Sequence, residues 1–132
     1  MRVLLADDSD LILDRLQHVL SVYDHIEIVG ALTNGTDALE ALRVLKPDVA
    51  IVDIRMPGLS GLEVLREIRK ENQVIKFIIL TMYSLDIYRQ QAIKSGADYF
   101  FSKVDDFSKI SQVVGGMAVK EGNGYGVKVG SR

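Results

Sequence analysis

Short runs of consecutive apolar residues alternate along this chain with longer stretches in which apolar side chains recur every three or four positions. The first kind reads as strands buried on both faces, the second as amphipathic helices. Positions 3–6 (VLLA) form the first strand, and 9 to about 23 the first helix, with Ile12, Leu16, Val19 or Leu20, and Tyr23 near one face. Positions 26–33 (IEIVGALT) are the second strand. A helix over 36–45 carries Ala38, Leu39, Leu42 and Leu45, with Pro47 just beyond its end. Positions 49–52 (VAIV) are the third strand, and 61 to about 71 a helix with Leu62, Leu65 and Ile68 on one face. The fourth strand is 77–80 (FIIL), followed by a more polar helix over 86–95 that stops at Gly96. The fifth strand is 99–101, and the last helix runs from 106 to about 120 with Ile110, Val113, Val114, Met117 and Ala118.

Five strands alternating with five helices predict an α/β domain, a parallel sheet with helices on both faces. Right-handed crossovers leave few topologies for it. Ligands of such sheets bind outside the carboxyl ends of the strands. Asp7 and Asp8 end the first strand, Asp53 the third, Thr81 the fourth and Lys103 the fifth. These five residues are therefore expected on one edge.

The pair Asp7–Asp8 needs a reason, since adjacent carboxylates repel and each resists leaving water. Asp8, Ser9 and Asp10 could cap the next helix, or the pair could hold a cation. Asp53, in AIVDIRMPGLSG, brings a third acid to the same edge. One Asp at a strand end reads as a turn or cap residue. Three at converging strand ends point to a metal site, because the cluster is costly without a cation. Oxygen ligands suit magnesium, which keeps several waters and often binds phosphate as well. Alone, Thr81 reads as a strand residue and Lys103 as a solvated loop residue. Beside the acids they supply a hydroxyl donor and a cation, which a phosphoryl group on Asp53 would need. Carboxylates act as nucleophiles in aspartyl-phosphate chemistry.

Composition narrows the classes. At 132 residues, 48% hydrophobic and 26% charged, the chain is expected to be one domain with a real core. A formal net charge of -2 offers no broad attraction to nucleic acid or anionic lipid. The absence of cysteine excludes disulfides, zinc thiolates and Cys nucleophiles, and fits a cytoplasmic protein. One Arg and four apolar residues before the acids fall far short of a signal peptide, and no apolar run approaches a membrane span.

The segments DD at 7–8, VDIRMPGLSG at 52–61, LTMYS at 80–84 and GADYFFSK at 96–103 resemble the response-regulator receiver domain of two-component signalling. The resemblance covers roughly residues 1–120. It implies a doubly wound, flavodoxin-like sheet of five parallel strands in the order 2-1-3-4-5. It implies that Asp53 accepts a phosphoryl group from a sensor histidine kinase or phosphotransfer protein. Asp8 and Asp53 would bind Mg2+ directly with the backbone carbonyl of Arg55, and Asp7 through a water. Lys103 would pair with the Asp53 carboxylate or the phosphoryl oxygens, and Thr81 would turn its hydroxyl to them. Phe100 takes the place of the family's switch aromatic; a shift of Thr81 would vacate space into which Phe100 rotates. The protein would be a signalling switch rather than an enzyme, with homodimerisation on phosphorylation as one outcome.

Two positions depart from the family pattern. Val104 follows Lys103 where proline is common, which is expected to loosen that loop. Met82 follows Thr81 where a small residue is common, which would restrict access to an aspartyl phosphate. Both features resemble receivers joined to helix-turn-helix DNA-binding domains. No basic recognition helix is present, so direct nucleic-acid binding is not expected. Residues 1–121 read as the domain, and 122–132, with Gly124, Gly126 and Gly130, as a flexible tail or the start of a linker. The runner-up is a Mg2+-dependent aspartyl phosphohydrolase; against it, Arg55 stands where the best-known aspartyl phosphatases place a second acid. A phosphate-independent scaffold is a third reading, which loss of Asp7, Asp8 or Lys103 would favour. No GxGxxG or GxxxxGK follows a strand, which disfavours a nucleotide or flavin domain.

Overall fold

The computed structural model describes residues 1–82 and 85–121, with side chains to 117. Tyr83, Ser84 and the segment 122–132, expected to be a tail or linker, lie outside the described residues. The elements are β1 (Arg2–Ala6), α1 (Asp10–Leu20), β2 (Glu27–Leu32), α2 (Gly35–Leu45), β3 (Val49–Val52), α3 (Gly61–Arg69), β4 (Lys76–Thr81), α4 (Asp86–Lys94), β5 (Tyr99–Ser102) and α5 (Phe107–Glu121). The strands form one parallel sheet in the order β2-β1-β3-β4-β5. Every expected element is present, and the limits differ by a few residues.

Those differences trace to caps. Ser9 caps α1 by accepting from the Ile12 N–H at 3.3 Å. Asn34 caps α2 by accepting from the Asp37 N–H at 2.8 Å, which moves the start of that helix back to Gly35. Ser60 and Glu63 form a reciprocal capping box at α3. Lys46 closes α2 in the left-handed conformation at φ 47, and Pro47 prevents continuation.

Alternate residues of each strand feed two cores. Leu4, Ala6, Ala50, Val52, Phe77 and Ile79 pack beneath α2, α3 and α4. Val3, Leu5, Val49, Ile51, Ile78 and Leu80 pack beneath α1 and α5. Both faces are covered by helices, which explains why the strands read as continuous apolar runs. The cores leave the strand ends as the place where polar groups can gather.

The two adjacent glycines of α5 differ in purpose. A Cβ on Gly115 would lie 2.7 Å from ring atoms of Tyr23, whose hydroxyl is 3.1 Å from Ser111 Oγ. A Cβ on Gly116 would meet nothing within 4 Å. Gly115→Ala is therefore expected to lower the unfolding free energy by about 1–3 kcal/mol through overpacking. Gly116→Ala should raise it by up to ~1 kcal/mol through helix propensity. Denaturant midpoints of the two variants check this, and equal shifts would contradict the assignment.

Candidate functional site

The acid pair sits where β1 leaves the sheet. Asp7 is buried; its N–H donates to Leu32 O at 3.0 Å and its Oδ1 accepts from the Ser9 N–H at 2.9 Å. Asp8 is exposed on the rim. The cap of α1 falls to Ser9, so helix capping does not account for the acid pair.

Asp53 follows β3 and is also buried, at 5% exposure. Its N–H donates to Ala6 O at 2.9 Å, and its Oδ1 accepts from the Ile54 N–H at 2.8 Å. The loop after it folds back tightly onto the strand end. The Gly61 N–H donates to Ile54 O at 2.8 Å, and a Cβ on Gly61 would lie 2.0 Å from Asp53 O. Gly35 fits the other side of the same loop, where a Cβ would lie 1.8 Å from Leu59 O. These two glycines permit the close backbone approach that holds Asp53 in place.

Lys103 joins the two buried acids. Its Nζ lies 2.6 Å from Asp7 Oδ2 and 3.2 Å from Asp53 Oδ2, with 8% of the residue exposed. Its N–H donates to Thr81 O at 2.9 Å, which aligns the ends of β4 and β5. Thr81 is fully buried at the same edge. Ligand oxygens of Asp7, Asp8 and Asp53 all lie within 4.8 Å of one another. An open cleft of about 410 Å³ above them is lined by Asp8, Asp53, Arg55, Met82 and Lys103 among others. All five convergent residues are thus brought together, and Arg55 borders the cleft from the β3–α3 loop.

The electrostatics follow from burial. Burial pushes the Asp53 carboxyl up, the Asp7 charge adds to this and Lys103 opposes it, with a result of about 6. Burial alone would lower Lys103, but its hydrogen bond to Asp7 and the charges of Asp53 and Asp7 together hold it above its ordinary value. One ammonium faces two buried carboxylates, with a third acid on the rim. A set of hard oxygen donors with surplus negative charge fits Mg2+.

Phe100 lies inside, 4% exposed, in the core beneath α4, with the Arg89 guanidinium 4.8 Å from its ring centroid. The inward position that was expected to follow a shift of Thr81 is already occupied in this structure. Met82 is 58% exposed at the cleft. The loop after Lys103 has no cis peptide bond among the described residues, and it is held by Ser102 and Asp106, which sequence reasoning passed over. A Ser and an Asp flanking the lysine, with the Asp just before the last helix, were the available signal.

Comparison with known proteins places residues 3–115 within the model of the response regulator receiver domain. The chain is 34% identical over 114 residues to the transcriptional regulatory protein YvfU of Bacillus subtilis, covering 86% of this chain and 57% of that one. It is 31% identical over 114 residues to the response regulator GacA of Pseudomonas viridiflava, covering 86% and 53%. A crystal structure of a DNA-binding response regulator of the LuxR family from Staphylococcus aureus superposes with a TM-score of 0.81 at 29% identity, covering 89% of this chain and 98% of that one. The chain spans about half the length of the curated relatives it matches.

The raised Asp53 carboxyl has a stability consequence in metal-free buffer. Its folded value exceeds the ordinary 3.8, so the ionised form costs stability above about pH 6. Protonation relieves that cost as pH falls from about 6 towards 4. Asp53→Asn, neutral throughout, is expected to be about 1–3 kcal/mol more stable than the parent at pH 8, with the gap closing towards pH 4. Urea denaturation across that range measures it; a gap independent of pH would contradict the burial effect.

Proposed function

The chain belongs to the response-regulator receiver family of two-component signalling, and from that premise we propose that it is a phosphorylation-dependent switch with Asp53 as acceptor. The observation that carries this is the ammonium of Lys103 shared between Asp7 and Asp53 at 2.6 and 3.2 Å, beside the exposed Asp8.

The donor is a phosphohistidine on a sensor histidine kinase or phosphotransfer protein. A carboxylate oxygen of Asp53 attacks phosphorus as the P–N bond breaks. The bonding pair returns to the donor ring, which leaves as neutral imidazole once protonated. The nucleophile is already ionised above about pH 6, so no general base is required. Asp8, Asp53 and the carbonyl of Arg55 would hold Mg2+, with Asp7 acting through a water. When bound, the cation neutralises charge on the transferring phosphoryl group. Lys103, already at Asp53, pairs with a phosphoryl oxygen, and the Thr81 hydroxyl donates to another.

Water attack on the acyl phosphate returns the Asp53 carboxylate and releases inorganic phosphate. The chain thus turns over only its own phosphoryl group, as a signalling switch rather than an enzyme with an external substrate. Arg55 in place of a second acid disfavours the phosphohydrolase reading. The added charge biases the packing of Thr81, Phe100 and α4, which buries only Ala92 and is the face most easily rearranged. Transcription through a DNA-binding domain outside this sequence is the output that the relatives suggest, with homodimerisation on phosphorylation as one route. A formal net charge of -2 gives no broad attraction to nucleic acid, so direct nucleic-acid binding is not part of this reading. Among the described residues no helix is long and apolar enough to cross a membrane, and a cytoplasmic site of action fits the proposed partners.

Intact mass after incubation with acetyl phosphate tests the reading. A gain of one phosphoryl group that requires Mg2+ and disappears in Asp53→Asn is expected; an adduct that survives Asp53→Asn would sink the assignment. Met82→Ala, which opens the cleft, should shorten the lifetime of the adduct several-fold at fixed Mg2+. An unchanged lifetime would remove Met82 as a barrier to water.

A further inference from the structure

Lys103 is useful only if its ammonium is held at the acids, and the chain just after it lacks a proline. The backbone N–H groups around it are nonetheless all engaged. The Ser102 N–H donates to Asp106 Oδ2 at 2.9 Å, and the Asp106 N–H donates back to Ser102 O at 2.9 Å. Ser102 Oγ accepts from the Val104 N–H at 3.1 Å and the Asp105 N–H at 3.2 Å. The Lys103 N–H is taken by Thr81 O. Every backbone N–H from 102 to 106 therefore has a partner, and two side chains supply three of those five acceptors. Ser102 is buried, at 4% exposure, and Asp106 is steadied in turn by Lys109 Nζ at 3.1 Å. The Asp106 carboxyl is held below its usual range, chiefly by the Ser102 N–H and then by Lys109.

We propose that Ser102 and Asp106 form a clasp that straddles Lys103 and positions its ammonium for phosphoryl transfer to Asp53, so that both are positioning residues of the site. The proposal rests on the receiver reading given above. Its physical basis is reach. Lys has four rotatable side-chain bonds and ordering it is costly, so its backbone must be fixed for Nζ to bridge two acids. A misplacement of about 1 Å in such a site costs up to roughly a hundredfold in rate. The clasp touches neither acid, and its effect passes through Lys103 alone.

The test is a double-mutant cycle on the rate of Mg2+-dependent phosphorylation by acetyl phosphate. Ser102→Ala and Asp106→Ala are each expected to slow the reaction roughly ten- to a hundredfold. Asp106→Asn, which keeps an acceptor for the Ser102 N–H, should recover most of the rate. Lys109→Ala, which removes only the outer ion pair, should match the parent. In a Lys103→Ala background, Asp106→Ala should add nothing further. Equal slowing by Asp106→Ala with and without Lys103 would overturn the proposal, since the loop would then act by another route. A second readout does not require phosphorylation. NMR detection of slowly exchanging Lys103 ammonium protons is expected in the parent and lost in Asp106→Ala. Their retention in both clasp variants would also overturn it. If the parent takes no phosphoryl group while the ammonium signal behaves as expected, the proposed phosphoacceptor role of Asp53 fails and the clasp stands as the device that positions the ammonium.

Discussion

One ammonium between two buried carboxylates is the interaction on which the rest of this structure depends. Desolvating Asp7 and Asp53 together is unfavourable by several kcal/mol unless charge is compensated, and Lys103 supplies only half of what they need. The residual negative charge, with Asp8 on the rim, is what suits the edge to the cation and phosphoryl group proposed for it. The fold exists around this deficit. β1 and β3 end in register to deliver the acids, β5 runs two residues further to deliver the lysine, and buried cores on both faces leave the strand ends as the polar exit. Gly35 and Gly61 let the loop behind Asp53 close with no room for a side chain.

The path from that edge to the surface is short. Thr81 and Ser102 are paired residues of β4 and β5, and Phe100 lies two residues back on the same face of β5 as Ser102. Arg89 of α4 stacks over the Phe100 ring and donates to its carbonyl oxygen at 3.4 Å. The carboxyl end of α4 is tied down by Arg69, which donates to Gly96 O at 3.0 Å and pairs with Asp98 at 3.1 Å. Its amino end begins at Leu85 with no side-chain cap. A helix anchored at one end and buried through one alanine is the element with least to lose from rearrangement. A charge added at Asp53 therefore has a soft neighbour to act on.

Much of this was legible from sequence because period and position carry it. Apolar runs and helical stripes give ten elements, and their alternation places Asp7, Asp8, Asp53, Thr81 and Lys103 on one edge. What was not legible depends on side-chain geometry between residues that no period relates. Whether Lys103 leans to Asp7 or to Asp53 is set by tenths of an ångström, and the shorter contact is to Asp7. The expected looseness after Lys103 rested on a missing proline, whereas hydrogen bonds from Ser102 and Asp106 hold the loop. Gly115 and Gly116 are identical in sequence and opposite in environment, since only Gly115 faces Tyr23. The position of Phe100 on β5 follows from the apolar run, whereas its burial in the core that also holds Ala92 and Ala97 depends on tertiary packing.

The most direct test of the central claim locates the phosphoryl group chemically. An acyl phosphate on a carboxylate is reduced by borohydride to an alcohol, which turns the acceptor aspartate into homoserine in the peptide map. Treatment of the phosphorylated chain is predicted to convert Asp53 alone, leaving Asp7 and Asp8 intact. Conversion at Asp7 or Asp8, or none in a chain that carries phosphate, would contradict the account of this edge as a site built to present Asp53.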